Sequence, residues 1–287
     1  MRISLLLYFF GFSLICEAQS LPQIEAQIAL LHNKLTGSRM DAEKDSICSS
    51  MREQFAKAFE FDEAFDYSFD KLNFCKIKSS DNRVRLFNWN LPYTDGSHKY
   101  FCFVLIRDAK SGKFRWKELK DNPNEVDKVE NKILPEDKWL GVLYYDIIPM
   151  GKKNNDTYTL LGWDGKDNLT NRKVIDVLDV GGSKLKFGAN IFNTESAVAK
   201  RIILEYSDEV SASVKYYSEK QCIIMDHLSP KNPMMTGIYA DYGPDGSYDM
   251  LVFNKGKWDY LDNVDVSKFA EDDGKPFYDP RLRRRRK

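Results

Sequence analysis

The spacing of hydrophobic positions changes near residue 70. Between residues 22 and 60 the apolar residues recur at intervals of three and four, which is typical of amphipathic helices. Gly37 is well placed to end a first helix in a left-handed C-cap, and Ser38 with Asp41 resembles a capping box that starts a second. The apolar positions are Ile24, Ile28, Leu31 and Leu35 in the first segment and Cys48, Met51, Phe55 and Phe59 in the second.

This pattern predicts an N-terminal helical hairpin and connector over residues 19–70, with residues 60–70 as the connector. The apolar face of the hairpin has two interpretations. It packs on the domain that follows, or it serves as a partner-docking element. An exposed apolar stripe favours aggregation, so packing is the favoured interpretation.

After residue 70 the hydrophobic period shortens to two, which indicates β-strands. The predicted strands are 74–79, 83–90, 99–107, 113–119, 142–148, 157–163, 172–178, 186–192, 201–206, 211–217, 222–227, 237–242, 248–254 and 257–261. Ser80-Asp81-Asn82 marks the first hairpin, and glycine-containing pairs mark later turns, because glycine supplies the positive φ of tight hairpins. These pairs are Asp95-Gly96, Ser111-Gly112, Asp164-Gly165, Gly181-Gly182, Asp245-Gly246 and Lys255-Gly256.

The fold class that follows is mainly β: an antiparallel meander over residues 71–265, preceded by the helical hairpin. No stretch after residue 140 has room for a crossover helix, which disfavours a parallel α/β sheet. The polar segment 120–139 is the expected non-strand insert. Stretches 83–119, 142–178 and 237–264, with 186–227 as a less regular fourth, share a spacing of roughly 45 residues. That spacing leaves both a propeller-like and a sandwich-like arrangement open.

Composition narrows the class of protein. Of the 287 residues, 43% are hydrophobic and 30% charged. The 18 Phe, 15 Tyr and 5 Trp exclude a fully disordered chain, and the mean hydropathy of −0.50 excludes a multi-span membrane protein. The formal net charge is zero, so no nucleic-acid partner is expected. Residues 266–287 are expected to form a flexible basic tail, and 281–287 suit contact with an anionic envelope surface.

The amino terminus predicts export. Met1-Arg2 precedes an apolar stretch, residues 3–16, that is shorter than the roughly 20 residues needed to span a bilayer. Cys16-Glu17-Ala18 then reads as small-x-small, so residues 1–18 are expected to be a signal peptide with a mature start at Gln19. An uncleaved anchor is the alternative. A lipoprotein anchor at Cys16 is disfavoured by Ile15, where such sites carry a small residue.

Four cysteines remain after the predicted cleavage, and an exported protein could pair some of them. We expect at most one disulfide, since a chain of this length does not depend on cross-links for its core. The four positions are Cys48, Cys75, Cys102 and Cys222.

Several strings resemble a family of secreted proteins from Bacteroidota to which no function is assigned. They are FNWNLPYTDGSHKYF (87–101), YTLLGWDG (158–165), KFGANIF (186–192), MDHLSP (225–230) and YGPDGSYDMLVF (242–253). The resemblance covers about residues 70–265. It implies an exported protein of a Gram-negative cell, periplasmic or envelope-associated, and it supplies no reaction and no catalytic residue.

One motif suggests a calcium site. Asp241, Asp245 and Asp249 occupy positions 1, 5 and 9 around the Gly246 turn, which resembles the calcium loop of FG-GAP-type propeller repeats. Gly243 stands where such loops carry a further oxygen donor. The alternative is a plain hairpin turned by Asp245-Gly246, with solvated acids.

Aromatic residues beside turns are the second kind of candidate. Trp89, Tyr93, Trp163 and Tyr242 are candidates for stacking on a glycan or a peptide, although aromatics in strands are usually core residues. No catalytic motif is found, and His98 and His227 are interpreted as structural. The sequence therefore predicts an exported binding or structural module without catalysis. The alternative is a secreted hydrolase whose carboxylates converge only in the fold.

Overall fold

The computed structural model describes residues 19–74, 76–122, 128–151, 156–194 and 198–267. Two helices precede a series of antiparallel sheets, which confirms the predicted fold class. The predicted signal peptide, Cys75 and the tail beyond Ser267 lie outside the described residues.

The helical hairpin consists of α1 (Leu21–Gly37) and α2 (Asp41–Ala58). Both predicted caps between the helices are wrong. Gly37 is the last helical residue, and the chain leaves α1 through an extended Ser38 (φ −78°). Helix α2 begins after Met40, so Ser38 is not its N-cap residue. The Ser38 hydroxyl donates to the Glu43 carboxylate (2.6 Å). Because the backbone is extended at Ser38 and Met40, neither predicted motif forms.

The connector is held to the sheet behind it by one buried arginine. After the 3-10 turn Asp62–Phe65, the guanidinium of Arg85 donates to the carbonyls of Phe65 (2.9 Å) and Tyr67 (2.5 Å). Burial lowers the pKa of Arg85 to about 10. The buried carboxylate of Glu25 accepts from Tyr67 Oη and Lys71 N, which ties α1 to the same connector.

The strands form three sheets. The first sheet has the order β1-β2-β3-β4, and the second has the order β5-β9-β8-β7-β6 with β12 paired to β8. The third has the order β11-β10-β16-β15-β14-β13, in which only the short β10–β16 pair is parallel among the described strands. The strands are β1 (Lys76–Lys78), β2 (Val84–Pro92), β3 (His98–Arg107), β4 (Phe114–Glu118), β5 (Leu134–Pro135), β6 (Leu143–Pro149), β7 (Thr157–Asp164), β8 (Thr170–Asp179), β9 (Lys186–Phe187), β10 (Phe192–Asn193), β11 (Val198–Ala199), β12 (Ile202–Ser207), β13 (Val214–Tyr217), β14 (Cys222–Pro230), β15 (Tyr242–Asn254) and β16 (Lys257–Leu261).

The helices and sheets are stacked in chain order. One face of the first sheet packs on the helices through Phe87 and Phe103, and its other face packs on the second sheet through Leu86 and Val104. This division follows from the alternation of side chains along a strand. The second and third sheets share the next core, which includes Ile175, Val177, Ile223, Leu251 and Trp258. Among the described residues, the stack ends where Val264 and Val266 cover the outer face of the third sheet.

Buried polar side chains join neighbouring sheets. The Asn88 amide bonds to both the N–H (2.7 Å) and the carbonyl (3.1 Å) of Tyr144, joining the first and second sheets. Trp258 Nε1 donates to Thr159 Oγ1 (2.9 Å) between the second and third. A fully buried ion pair, Arg201 Nε to Asp176 Oδ1 at 3.2 Å, lies within the second sheet.

The structure corrects the predicted repeats. Stretches 83–119 and 142–178 do correspond to the cores of the first and second sheets, but 237–264 supplies only β15 and β16 of the third. The proposed fourth unit, 186–227, is divided between two sheets, with Gly188 (φ +92°) interrupting the predicted strand 186–192. The predicted strand 237–242 is also wrong in its first part. That part is a 3-10 turn, Tyr239–Asp241.

The described sheets stack face to face, but helices cover the free face of the first sheet and no ring is closed in this part of the chain. The insert 120–139 is polar in sequence, but it contributes to the core. Its apolar residues Val129, Leu134 and Trp139 are buried between the first two sheets.

Candidate functional site: an apolar loop and an acidic pair

The connection between β14 and β15 leaves the third sheet and returns to it at the same place. Pro230 and Tyr242 form the last pair of that ladder. We call the connecting residues 231–241 the apolar loop. It contains two 3-10 turns, Pro233–Met235 and Tyr239–Asp241. Its sequence, KNPMMTGIYAD, explains the first turn, since Asn232 caps it by accepting from Met234 N (3.0 Å) and Pro233 suits the first position of a turn.

Bonds at the base of the apolar loop fix its shape. Lys231 N donates to Asp241 O (3.0 Å), and Asn232 N donates to Asp241 Oδ2 (2.8 Å). Halfway round, Gly237 N donates to the hydroxyl of Tyr242 (3.0 Å). Gly237 has φ +87°, a conformation that side chains with Cβ rarely adopt. The loop is therefore organised before any partner binds.

The apolar loop presents three large apolar side chains to solvent. Met234 is 90% exposed, Ile238 50% and Tyr239 46%, and residues 233–240 contain no charged side chain. Single exposed apolar residues are ordinary, but three on one fixed loop form a small patch. We call the side chains of Met234, Ile238 and Tyr239 the patch.

The charges around the apolar loop lie at its base. The Lys231 ammonium is 3.4 Å from the Glu209 carboxylate. Asp208 and Glu209 are exposed on the connection that follows β12, and the turn Tyr239–Asp241 packs against β12 itself. The surroundings of the patch are thus mildly acidic.

The three aspartates of the predicted calcium motif lie at different places along this element. Asp241 ends the turn Tyr239–Asp241, and Asp245 and Asp249 lie on β15 with an irregular part of the strand between them. The hairpin alternative is wrong as well. Gly246 (φ +97°) sits in a bulge where residues 245–247 oppose His227 alone.

Each of these aspartates bonds to protein donors. Asp245 Oδ1 accepts from the N–H and hydroxyl of Ser247, and Ser247 lowers the pKa of Asp245 against the opposing effect of burial. Asp249 is buried and accepts from Tyr260 Oη (2.5 Å) and Asn263 N (3.1 Å), with His227 Nδ1 at 3.0 Å. Among the residues described, no group of three or more His, Cys, Asp or Glu is arranged to hold a metal ion.

The four aromatic candidates lie at separate places. Trp89 is buried between the helices and the first sheet, stacked on Phe101 at 5.1 Å. Tyr93 donates to Asp45 Oδ1 (2.8 Å) and so ties the β2–β3 turn to α2. Trp163 makes an edge contact with His98 (5.5 Å) at the end of β7. The placement of these three indicates roles in packing.

Tyr242 is the aromatic candidate that belongs to the apolar loop. Its hydroxyl accepts from Gly237 N, and its ring packs 5.1 Å from that of Tyr239. Asp241 and Tyr242, two of the predicted site residues, both support the apolar loop through hydrogen bonds. Met234 and Ile238 were missed because the residues were assigned to connections and to a strand. The uncharged run 233–240 was the available signal.

A second cluster meets at Tyr100. Its hydroxyl donates to Asp164 Oδ1 (2.9 Å) and accepts from Gly165 N (2.7 Å), while its backbone N–H donates to Asp121 Oδ2 (2.8 Å). Burial raises the pKa of Asp121 to about 6 and that of Asp164 to about 6. We call these two carboxyls, which both bond to Tyr100, the acidic pair. Asp121 carried no sequence signal, because only the fold brings residue 121 beside residue 164.

The cysteines and the helices add two findings. Cys48, Cys102 and Cys222 are buried, each in a different hydrophobic cluster. No helix in the described part of the chain combines the length and the apolar character needed to cross a bilayer.

Comparisons with protein-family models, with curated proteins and with solved structures gave no significant match.

Proposed function

We propose that this protein is an exported, non-catalytic interaction module of the cell envelope, and that the apolar loop is its contact element. The observation that carries the proposal is the fixed loop with Met234, Ile238 and Tyr239 exposed at its surface. The apolar stretch 3–16 supports export, because its length suits a signal-peptide core.

The energetics of such a loop suit reversible association. Complete burial of one large apolar side chain stabilises a contact by roughly 1.5–3 kcal/mol. Three partly exposed side chains then supply a few kcal/mol, and about 4 kcal/mol corresponds to a millimolar dissociation constant. Because the loop is already hydrogen-bonded internally, binding does not pay a large ordering entropy. A weak contact of this kind suits a protein held at a surface at high local concentration.

The test is fractionation of cells that export the full chain. We expect the protein in the particulate fraction, and we expect Met234→Ser with Ile238→Ser to move it to the soluble fraction. Both side chains are exposed, so the fold should tolerate the change. The matched control is Leu30→Ser with Met40→Ser, which removes two exposed apolar side chains from the hairpin. An unchanged distribution of the loop variant would refute the proposal.

The proposed compartment has its own test. N-terminal sequencing of the exported protein should begin at Gln19. Retention of residues 1–18 on a protein found in the membrane would instead indicate the uncleaved anchor.

A second candidate function is hydrolysis, which the acidic pair favours. General acid catalysis near neutral pH uses carboxyls with raised pKa, as at Asp121 and Asp164. The His98 ring lies 6.2 Å from the ring of Tyr100, and its Nδ1 is 3.0 Å from the Asn90 amide. Turnover of a glycoside or ester panel that is lost in Asp121→Asn, and kept in the loop variant, would favour this candidate over the first.

A further inference from the structure

We infer that a basic surface at the edge strand β4 binds a linear acidic polysaccharide, a sugar chain that carries repeated carboxylate or sulfate groups. The surface is built around β4, the connection 180–185 between β8 and β9, and the 3-10 turn Glu136–Lys138. It contains no residue of the apolar loop, so the inference goes beyond the proposed function. We give the name basic surface to seven cations: Lys113, Arg115, Lys117, Lys120, Lys138, Lys184 and Lys186.

Three of these cations lie on one face of the edge strand. Lys113 directly precedes β4, and Arg115 and Lys117 lie within it. The three residues occupy alternate positions, so their side chains point to the same side, about 7 Å apart along the strand. Phe114 and Trp116, which lie between them, pack against the core of the helical hairpin. The basic side chains therefore face away from that core.

Arg115 connects this row to the connection 180–185 and keeps its charge. Its guanidinium donates to the carbonyl oxygens of Val180 (2.9 Å) and Gly182 (2.8 Å). Carbonyl oxygens carry no net charge, so these bonds fix the position of the guanidinium without neutralising it. The residue is exposed, and its charge is available to a ligand.

Lys184 and Lys186 form a second row beside the first. Both are exposed, and Leu185 between them is buried. The Glu136 carboxylate lies between the rows, since its Oε2 accepts from Leu185 N (2.8 Å) and its Oε1 is 3.4 Å from the Lys117 ammonium. One carboxylate thus holds the two basic rows together and is itself engaged by both.

Cations outnumber acids at this surface. Lys120 N donates to Glu136 O (2.9 Å), which places Lys120 beside the turn that carries Lys138. Among the described residues, Lys117 is the only cation of the basic surface that forms an ion pair with a carboxylate. An excess of positive charge is therefore left to attract an anion from solution. The acids within the surface are Glu136, Asp137 and Asp179.

The kind of cation indicates the kind of anion. Six of the seven are lysines, whose ammonium is a point charge without the planar fork that binds phosphate in two places, and Arg115 uses its guanidinium on carbonyls. The exposed residues Gly181, Gly182 and Ser183 offer no aromatic ring for a nucleic-acid base and no apolar side chain for a lipid. Two rows of repeated cations match anions that are repeated along a sugar chain.

The experiment is a binding titration of the purified full chain with heparin, which is sulfated, and with alginate, which is carboxylated. Single-stranded DNA and phosphatidylglycerol vesicles are the comparison probes. The surface variant removes three exposed lysines, and the control variant removes three exposed lysines from α1, α2 and β16, so both change the net charge equally. The surface variant is Lys113→Gln with Lys184→Gln and Lys186→Gln, and the control is Lys34→Gln with Lys57→Gln and Lys257→Gln.

We expect the surface variant to bind the polysaccharides about tenfold more weakly than the wild type at low salt. The control should bind as the wild type does, and binding should weaken as the salt concentration rises. The basic residues 281–287 are present in all three proteins, so their contribution cancels in the comparison. Equal melting temperatures should show that the three proteins are folded. Binding of only one polysaccharide would identify the recognised group as sulfate or as carboxylate.

Three results would overturn the inference. The wild type could bind neither polysaccharide. The surface variant and the control could lose the same affinity, in which case net charge or residues 281–287 carry the binding. DNA or vesicles could bind more tightly than both polysaccharides, in which case the class of partner is wrong. The loop variant, Met234→Ser with Ile238→Ser, should bind polysaccharide as the wild type does, so this inference and the proposed function fail independently.

Discussion

The hydroxyl of Tyr100 donates to Asp164 Oδ1 at 2.9 Å and thereby joins the first sheet to the second at a carboxyl whose pKa is about 6. The unperturbed pKa of this carboxyl is 3.8, so the folded state binds its proton more tightly than the unfolded state does. The free energy of unfolding contributed by Asp164 therefore rises as the pH falls from neutrality through 6 towards 4.

We predict that Asp164→Asn removes this pH dependence. When the pH is lowered from about 7.5 to about 4.5, the free energy of unfolding should rise by about 2 kcal/mol more in the wild type than in the variant. Urea unfolding at the two pH values measures the difference. The amide oxygen of Asn can still accept from Tyr100, which keeps the packing comparable. Parallel pH dependences would show that Asp164 titrates normally in the folded protein.

Tyr100→Phe tests the hydrogen bonds separately from the titration. The change keeps the ring but removes the group that bonds to Asp164 and to Gly165 N. We expect the free energy of unfolding to fall by about 1–3 kcal/mol, because two buried partners lose their bond. No loss of stability would mean that water replaces the hydroxyl at this site.

The helical hairpin belongs to the core and does not offer its apolar face to a partner. Phe55 on α2 is fully buried and lies 5.4–5.6 Å from the rings of Phe87, Trp89 and Phe103 on the first sheet. We predict that Phe55→Ala lowers the free energy of unfolding by about 3–5 kcal/mol. Leu30→Ala, at an exposed position of α1, should change it by less than about 0.5 kcal/mol. A mild effect of Phe55→Ala would show that the hairpin packs loosely.

Hydrophobic spacing predicted the helices and most strands, because buried positions recur along the chain with the period of the element that contains them. Phe55 and Phe59 fall on one helix face, and Leu86 and Phe87, which are adjacent along β2, fall on opposite faces of the first sheet. The spacing could not predict the loop, since Met234 and Ile238 are exposed and obey no period. It also could not predict the acidic pair, because Asp121 and Asp164 meet only through the stacking of two sheets.

The glycines show the same limit. Sequence identified Gly96 and Gly112 alike as turn residues, and both have positive φ, +86° and +73°. Only the structure distinguishes them: a Cβ on Gly96 would lie 1.9 Å from Asn168 Oδ1, whereas a Cβ on Gly112 meets open space.

We predict that Gly112→Ala lowers the free energy of unfolding by about 1 kcal/mol, through backbone conformation alone. Gly96→Ala should lower it by more, because Asn168 must also move and its bond to Asp95 O (2.8 Å) is lost. Thermal unfolding of both variants gives the comparison. Adding Asn168→Ala should recover part of the loss in Gly96→Ala, and equal losses in the two glycine variants would contradict the clash.

Chelation distinguishes the structure of β15 from the calcium loop that its sequence resembles. Asp241, Asp245 and Asp249 are separated along the chain and each bonds to protein donors. A ligand that binds only the folded state stabilises it, so a calcium site would make the melting temperature depend on the free metal. We expect the same melting temperature in excess chelator and in excess calcium. If calcium raised the melting temperature and Asp249→Asn abolished that rise, the result would support a metal site.

The ion pair of Asp176 and Arg201 provides the strongest test of the core of the second sheet. Both side chains are 0% exposed, with Arg201 Nε 3.2 Å from Asp176 Oδ1, and the guanidinium also donates to Lys132 O (2.9 Å). We predict that Arg201→Met lowers the free energy of unfolding by about 3–5 kcal/mol, because an uncompensated buried carboxyl remains. Burial already raises the pKa of Asp176, and without Arg201 the carboxyl should be protonated when folded, so the loss should shrink as the pH falls.

Adding Asp176→Leu removes the charge that Arg201→Met leaves unpaired. The double variant should therefore be more stable than the single one, and a double-mutant cycle in urea measures this coupling. Additive losses would mean that the two side chains are stabilised independently, by their backbone partners and not by each other.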